Sequence, residues 1–146
     1  MLYLEDLKLG DTFATGAQAV TAEEIIAFGR QFDPQPFHTD VVAARDTFFG
    51  GLVGSGWHTA AVTMRLMVDS MLGEDGVIGQ GVDELRWPRP LRPGDTLRVA
   101  MKVVEIDSVP TRTGRGRIKL HCRTLNQDDK VVQEMTARLL VPRRMP

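Results

Sequence analysis

Cysteine is almost missing from this chain: Cys122 is the one thiol among 146 residues. A single thiol builds no internal disulfide, and no Cys/His cluster shows zinc-ligand spacing. A disulfide scaffold and a structural zinc are therefore excluded, no metal is expected, and a reducing compartment is the simpler setting. Excess charge of either sign is missing too. Eighteen Lys and Arg stand against nineteen Asp and Glu, for a formal net charge of −1, so no global field draws nucleic acid or an anionic membrane. No apolar run reaches the ~20 residues of a membrane span. Near the amino terminus, Glu5 and Asp6 stand where a secretory leader would be basic. The expectation is a cytoplasmic protein with neither nucleic-acid nor membrane partners. Repeats and linkers are lacking as well, since the 14 Gly and 8 Pro fall as punctuation between periodic segments. One domain over residues 1–146 is expected, large enough to bury roughly 68–70% of its unfolded surface without staples.

What is present is periodicity. Thr21-Ala22-Glu23-Glu24 reads as a capping box ahead of Ile25, Ile26 and Phe28. That helix should stop near Phe32, because Pro34 and Pro36 push Asp33 and Gln35 out of the α region. A short helical stretch is expected around Asp40–Arg45, then the glycine-rich turn Gly50–Gly56. The strongest helical signal runs from Trp57 to Leu72, closed by Gly73. At 100° per residue Trp57, Ala60, Ala61, Met64, Met67, Val68, Met71 and Leu72 share an arc roughly 140° wide, with Val62 and Leu66 across from it. Polar positions survive as two stripes, His58/Arg65/Asp69 and Thr59/Thr63/Ser70. Such a helix should be largely buried, with Met64, Met67 and Met71 as adaptable core filler.

Beyond Gly76 the period becomes two. Leu97, Val99, Met101 and Val103 alternate with Arg98 and Lys102, and Ile118, Leu120 and Cys122 with Arg117, Lys119 and Arg123. Val131, Gln133, Met135, Ala137, Leu139 and Val141 share one parity. With strands near Thr12–Val20 and Val77–Trp87, this predicts an antiparallel sheet of about five strands with one wet face. Packed against one long apolar helix, it makes an α+β fold.

The candidate chemistry lies in Asp33-Pro34-Gln35-Pro36-Phe37-His38. Two prolines stiffen the link between a carboxylate and an imidazole, so backbone geometry largely fixes their separation, as a two-residue acid/base site requires. The plainer alternative is that Asp33 opens a proline turn and His38 caps the next helix.

This run resembles the signature of the MaoC-like dehydratases, which include the (R)-specific enoyl-CoA hydratases: Asp-x-Asn-Pro-aliphatic-His. Gln35 replaces the Asn and Phe37 the aliphatic residue. The resemblance continues through a small residue at Ala43 or Ala44, the Gly-rich turn into the central helix, and Arg89-Pro90-Leu91-Arg92-Pro93-Gly94-Asp95-Thr96. It implies a hot-dog fold, one long helix wrapped by an antiparallel sheet, usually paired edge to edge as a homodimer. It also implies that Asp33 and His38 hold the water added across, or removed from, the C2–C3 bond of an acyl thioester. Gly56 matches the residue whose N–H faces the thioester oxygen, a role suited to a helix amino terminus, and glycine there would let the substrate approach closely. The departures at Gln35 and Phe37, with Ser55 where many relatives have His, imply a different acyl pocket that Trp57 would share. No cofactor is implied beyond the coenzyme A of the substrate.

Other residues read more plainly. His58 would line the pocket or, with Arg65 and Asp69, serve a structural or surface role. His121 has solvent-facing parity, and Cys122 points inward as a small hydrophobe. Arg115, Arg117, Lys119 and Arg123 form a solvated sheet face or a landing site for coenzyme A phosphates. The function expected is an enoyl or 3-hydroxyacyl thioester hydratase/dehydratase. The alternatives are a thioesterase and a non-catalytic acyl-thioester-binding subunit.

Overall fold

Alternating burial along three long strands sets the frame of the molecule, seen in a computed structural model that describes residues 2–72, 76–109 and 111–144. In chain order the elements are a 3-10 turn (Leu4–Asp6), β1 (Thr12–Ala14), β2 (Gln18–Ala19), α1 (Ala22–Phe32), α2 (Pro36–Thr39), α3 (Val41–Ala44) and α4 (Gly56–Met67). A π-helical turn (Val68–Leu72) extends α4, and β3 (Ile78–Arg86), β4 (Thr96–Asp107), β5 (Gly116–Leu125) and β6 (Val131–Val141) follow. The sheet is antiparallel, in the order β1-β4-β5-β6-β3, with β2 also pairing β4. The single strand expected over Thr12–Val20 is thus two short ones on the same neighbour. The expected closure of the long helix at Gly73 lies outside the described residues.

Inward positions of β4 (Leu97, Val99, Met101, Val103) and β5 (Ile118, Leu120, Cys122) meet Val62, Leu66 and Met67 of α4 in one core. The opposite parity is wet, and there Arg117 pairs with Asp107, and Lys119 with Glu105. No helix among the described residues is long and apolar enough to cross a membrane.

The exposed side of α4 differs from the pattern's reading. Val62, Thr63, Leu66 and Met67 are buried, while Trp57, Met64 and Val68, the middle of the predicted core arc, face outward. Thr59 and Thr63, a predicted polar stripe, face inward instead. Thr63 can do so because its hydroxyl finds partners, donating to the Thr59 carbonyl at 2.8 Å and contacting the Thr124 hydroxyl at 2.6 Å, while Thr59 borders a cavity. A satisfied hydroxyl costs little to bury. Met64 is therefore not core filler, although Met67 is.

Candidate active site

Thr21 caps α1 as predicted, its hydroxyl accepting from the Glu24 N–H at 3.2 Å and its own N–H donating to Glu24 Oε1 at 3.1 Å. The helix ends at Asp33, whose N–H closes the last turn on the Gly29 carbonyl at 2.8 Å. Pro36 then starts α2 at its first position, where a missing N–H is no loss. The short helix brings His38 back toward Asp33: His38 Nε2 lies 3.2 Å from Asp33 Oδ2, with the imidazole buried and the carboxylate one-fifth exposed. His38 is not a helix cap, because Asp40 holds that position for α3 through bonds from the Val42 and Ala43 N–H groups.

Hydrogen bonding fixes the protonation pattern of the pair. His38 Nδ1 is 2.6 Å from the Val53 carbonyl, which can only accept, so Nδ1 carries a proton. A neutral His38 then presents a bare Nε2 toward Asp33, and a protonated one donates from Nε2 to the carboxylate across the 3.2 Å contact. Burial pulls the Asp33 carboxyl upward, but bonds donated by Gln35 and Ser55, together with the His38 charge, outweigh it and hold the group below its ordinary value. Gln35 Nε2 donates to Asp33 Oδ1 at 2.6 Å, leaving Oδ2 for the imidazole. The longer amide thus orients the carboxylate from two residues away.

Packing reinforces this placement. A Cβ built on Gly29 would sit 2.6 Å from the His38 carbonyl oxygen and 3.0 Å from its Cβ, so only glycine lets α1 pass this close to α2. Phe37 packs edge-on against the His38 ring at a centroid distance of 4.7 Å and against Phe49 at 5.2 Å.

A cavity of about 380 Å³ opens beside the imidazole, lined by His38, Phe48, Phe49, Gly56, Thr59 and the run from Trp87 to Leu91, with Gly54. Gly56 is the first residue of α4. The N–H groups of His58 and Thr59 donate to the Ser55 carbonyl and that of Trp57 to the Ser55 hydroxyl, whereas the Gly56 N–H has no acceptor among the described residues. The space over Gly56 is not left for a ligand, as the sequence suggested. A Cβ there would lie 2.5 Å from Trp87, so it is the indole that demands glycine.

Of the residues expected to bind substrate, none lines the cavity. Gln35 and Phe37 support Asp33 and His38 from behind, Ser55 is buried as the cap of α4, and Trp57 is exposed, edge-on to Trp87 at 5.3 Å. Sequence reasoning missed Phe48, Phe49, Thr59 and Trp87. Gly54-Ser55-Gly56 carried the one usable signal, two glycines spaced to seat two bulky side chains.

The other candidates fall elsewhere. His58 does not share the exposed Arg65–Asp69 stripe. It is buried, stacked on Phe28 at 4.8 Å with its Nδ1 unpartnered among the described residues, and burial lowers its pKa. His121 lies on the wet face, 2.7 Å from Glu134, in a larger groove of about 610 Å³ that contains neither Asp33 nor His38. Chemistry rather than size identifies the smaller cavity as the site. Burial pushes the Cys122 thiol up to about 12, which makes it inert. Among the described residues no three His, Cys, Asp or Glu side chains gather as metal ligands.

Comparison with known proteins follows the same line. The family model of the MaoC-like domain matches residues 7–122. A MaoC-like dehydratase from Rhodospirillum rubrum superposes with a TM-score of 0.92 at 48% identity, over 100% of both chains. The R-hydratase PhaJ1 from Pseudomonas aeruginosa, at 24% identity, shares the fold with a TM-score of 0.74 over 97% of this chain and 86% of its own. The uncharacterized protein YdeM of Bacillus subtilis (strain 168) is 28% identical over 141 residues, 96% of this chain and 99% of that protein.

Proposed function

The chain belongs to the MaoC-like domain family, and from that premise we propose that it is a hydro-lyase, adding water to or removing it from the C2–C3 bond of an enoyl/3-hydroxyacyl thioester, with coenzyme A as the thiol. The observation that carries the reading is His38, which lines a cavity whose rim also holds the first residue of α4 and whose Nε2 lies 3.2 Å from the Asp33 carboxylate behind it.

In the hydration direction a water bound beside the pair, within reach of Asp33 Oδ2 and His38 Nε2, gives one proton to the pair as its oxygen bonds to C3. The C2–C3 π electrons move toward the thioester carbonyl, whose oxygen gains negative charge. The Gly56 N–H and the positive end of α4 face that charge. The pair then returns one proton to C2, the enolate collapses, and the pair ends in its starting protonation state. Val53 keeps the imidazole in the tautomer this needs, and Gln35 keeps Asp33 turned toward it. Coenzyme A enters as part of the substrate, and the scheme uses only side-chain and backbone groups of the chain.

A second copy of the chain is the partner this reading carries. Trp57 and Met64 of α4, Val68 of the turn that extends it, and Ile78 and Val82 of β3 are large apolar side chains left exposed, and β3 is the last strand of the sheet, with one edge unpaired among the described residues. Such a surface matches a homodimer joined along β3.

The test is incubation of the purified protein with crotonyl-CoA, following loss of the enoyl-thioester absorbance and release of free thiol, with product configuration assigned. Hydration to the (R)-3-hydroxyacyl ester without thiol release is the expected result. Thiol release would replace this reading with a thioesterase, and binding without either reaction would replace it with a binding subunit.

A further inference from the structure

The run Trp87-Pro88-Arg89-Pro90-Leu91 forms one side of the cavity, and it is locked at both ends. At one end the Leu91 carbonyl accepts from the Gly54 N–H at 2.8 Å, and the Leu91 side chain lies where a Gly54 Cβ would meet it at 2.6 Å. At the other end the Trp87 indole lies on Gly56. Two prolines stiffen the backbone between them. Trp87 is held from below as well: its Nε1–H donates to Gln133 Oε1 at 2.9 Å, and Gln133, near the start of β6, is 1% exposed.

The direction of that amide follows from donor counting. Indole N–H can only donate, so the Gln133 oxygen must face Trp87 and its NH2 must face the core. There it donates to Thr63 Oγ1 at 3.3 Å. Thr63 spends its one proton on the Thr59 carbonyl and accepts from both Gln133 and Thr124. Each member of the chain Trp87–Gln133–Thr63–Thr124 is satisfied in one arrangement only, and a network so completed specifies a unique geometry. An apolar pair of the same shape would keep the core as stable. What the buried amide adds is a fixed indole.

We propose that Trp87, seated on Gly56 and oriented by Gln133, is the selectivity wall of the site and restricts the acyl group to short chains. At about 380 Å³ the cavity is at the small end of ligand sites. It must take the end of the pantetheine arm along with the acyl group, so a fixed indole on its side leaves little length for acyl carbon. Gln133 acts through Trp87 and is a positioning residue. This rests on the hydro-lyase reading above, and the experiment separates the two.

Wild type, Trp87→Phe, Gln133→Met and the double variant are compared on crotonyl-CoA and trans-octenoyl-CoA by kcat/KM, and on butyryl-CoA and octanoyl-CoA by calorimetric Kd. Wild type favours the short ester in both. Each single variant raises the long-to-short ratio about tenfold, the scale of a methylene-sized change in an apolar pocket. Gln133→Met adds nothing in the Trp87→Phe background, because the ring it positions has lost its N–H. A merely structural Gln133 would lower both substrates together and act additively. Should Gln133→Met fail to fold, Trp87→Phe alone decides. Unchanged ratios in folded variants, or a wild type indifferent to length, overturn the wall while leaving the hydro-lyase standing. Binding without turnover overturns the hydro-lyase while the Kd ratios still judge the wall, and a wild type that neither hydrates nor binds any ester overturns both.

Discussion

Burial alone would hold Asp33 toward its neutral acid form, and three neighbours offset burial and keep it ionised: Gln35, Ser55 and His38. Removing the bond from Gln35 has a definite sign. In Gln35→Met the Asp33 carboxyl rises toward its ordinary value, so the acid limb of the kcat/KM–pH profile moves to higher pH, measured against wild type across the acid range. The sequence made Asp33 and His38 legible because two prolines fix their spacing locally. It left Trp87, Thr59, Phe48 and Phe49 illegible because nothing local marks them. Their shared cavity exists only after α4, the Phe48–Phe49 turn and the run after β3 have met in space.

At the scale of elements, the contact between α1 and α2 is the tightest constraint on the site. Gly29→Ala forces a methyl against the His38 backbone. Overpacking of this kind costs about 1–3 kcal/mol, and here it also displaces the imidazole, so thermal unfolding and kcat fall together. His58 couples α1 to α4 in a pH-dependent way. Burial lowers its pKa from 6.5, although Glu24 opposes this. The unfolded chain therefore takes up the proton first as pH falls, and stability drops progressively below about pH 6.5. Denaturant unfolding should show a steeper loss between pH 6.5 and 5 in wild type than in His58→Gln; equal slopes would contradict this. The capping box, the proline stop and the strand alternation were legible because each rests on local bonds or strict parity. The outward side of α4 was not, because hydropathy counts Thr59 and Thr63 as polar while the structure satisfies Thr63 inside and sets Thr59 against the cavity, and counts Trp57, Met64 and Val68 as core while this chain leaves them uncovered.

At the scale of the whole molecule, the α4–β3 surface should be where two copies meet. Val82→Lys places a charge on the open edge of β3, a common way of blocking strand pairing. Sedimentation should show a dimer for wild type and a monomer for the variant, with the fold retained by circular dichroism; a monomeric wild type would remove the homodimer. The proposed chemistry turns on Asp33 and His38 acting as one unit on water. Its most direct test is the hydration rate of crotonyl-CoA by wild type, Asp33→Asn, His38→Gln and the double variant, each checked for folding. Each single variant should lose about 10²-fold or more, the scale of positioned acid/base catalysis, and the double should lose hardly more than the worse single, as groups acting together do. Folded single variants that retain wild-type rates would contradict it.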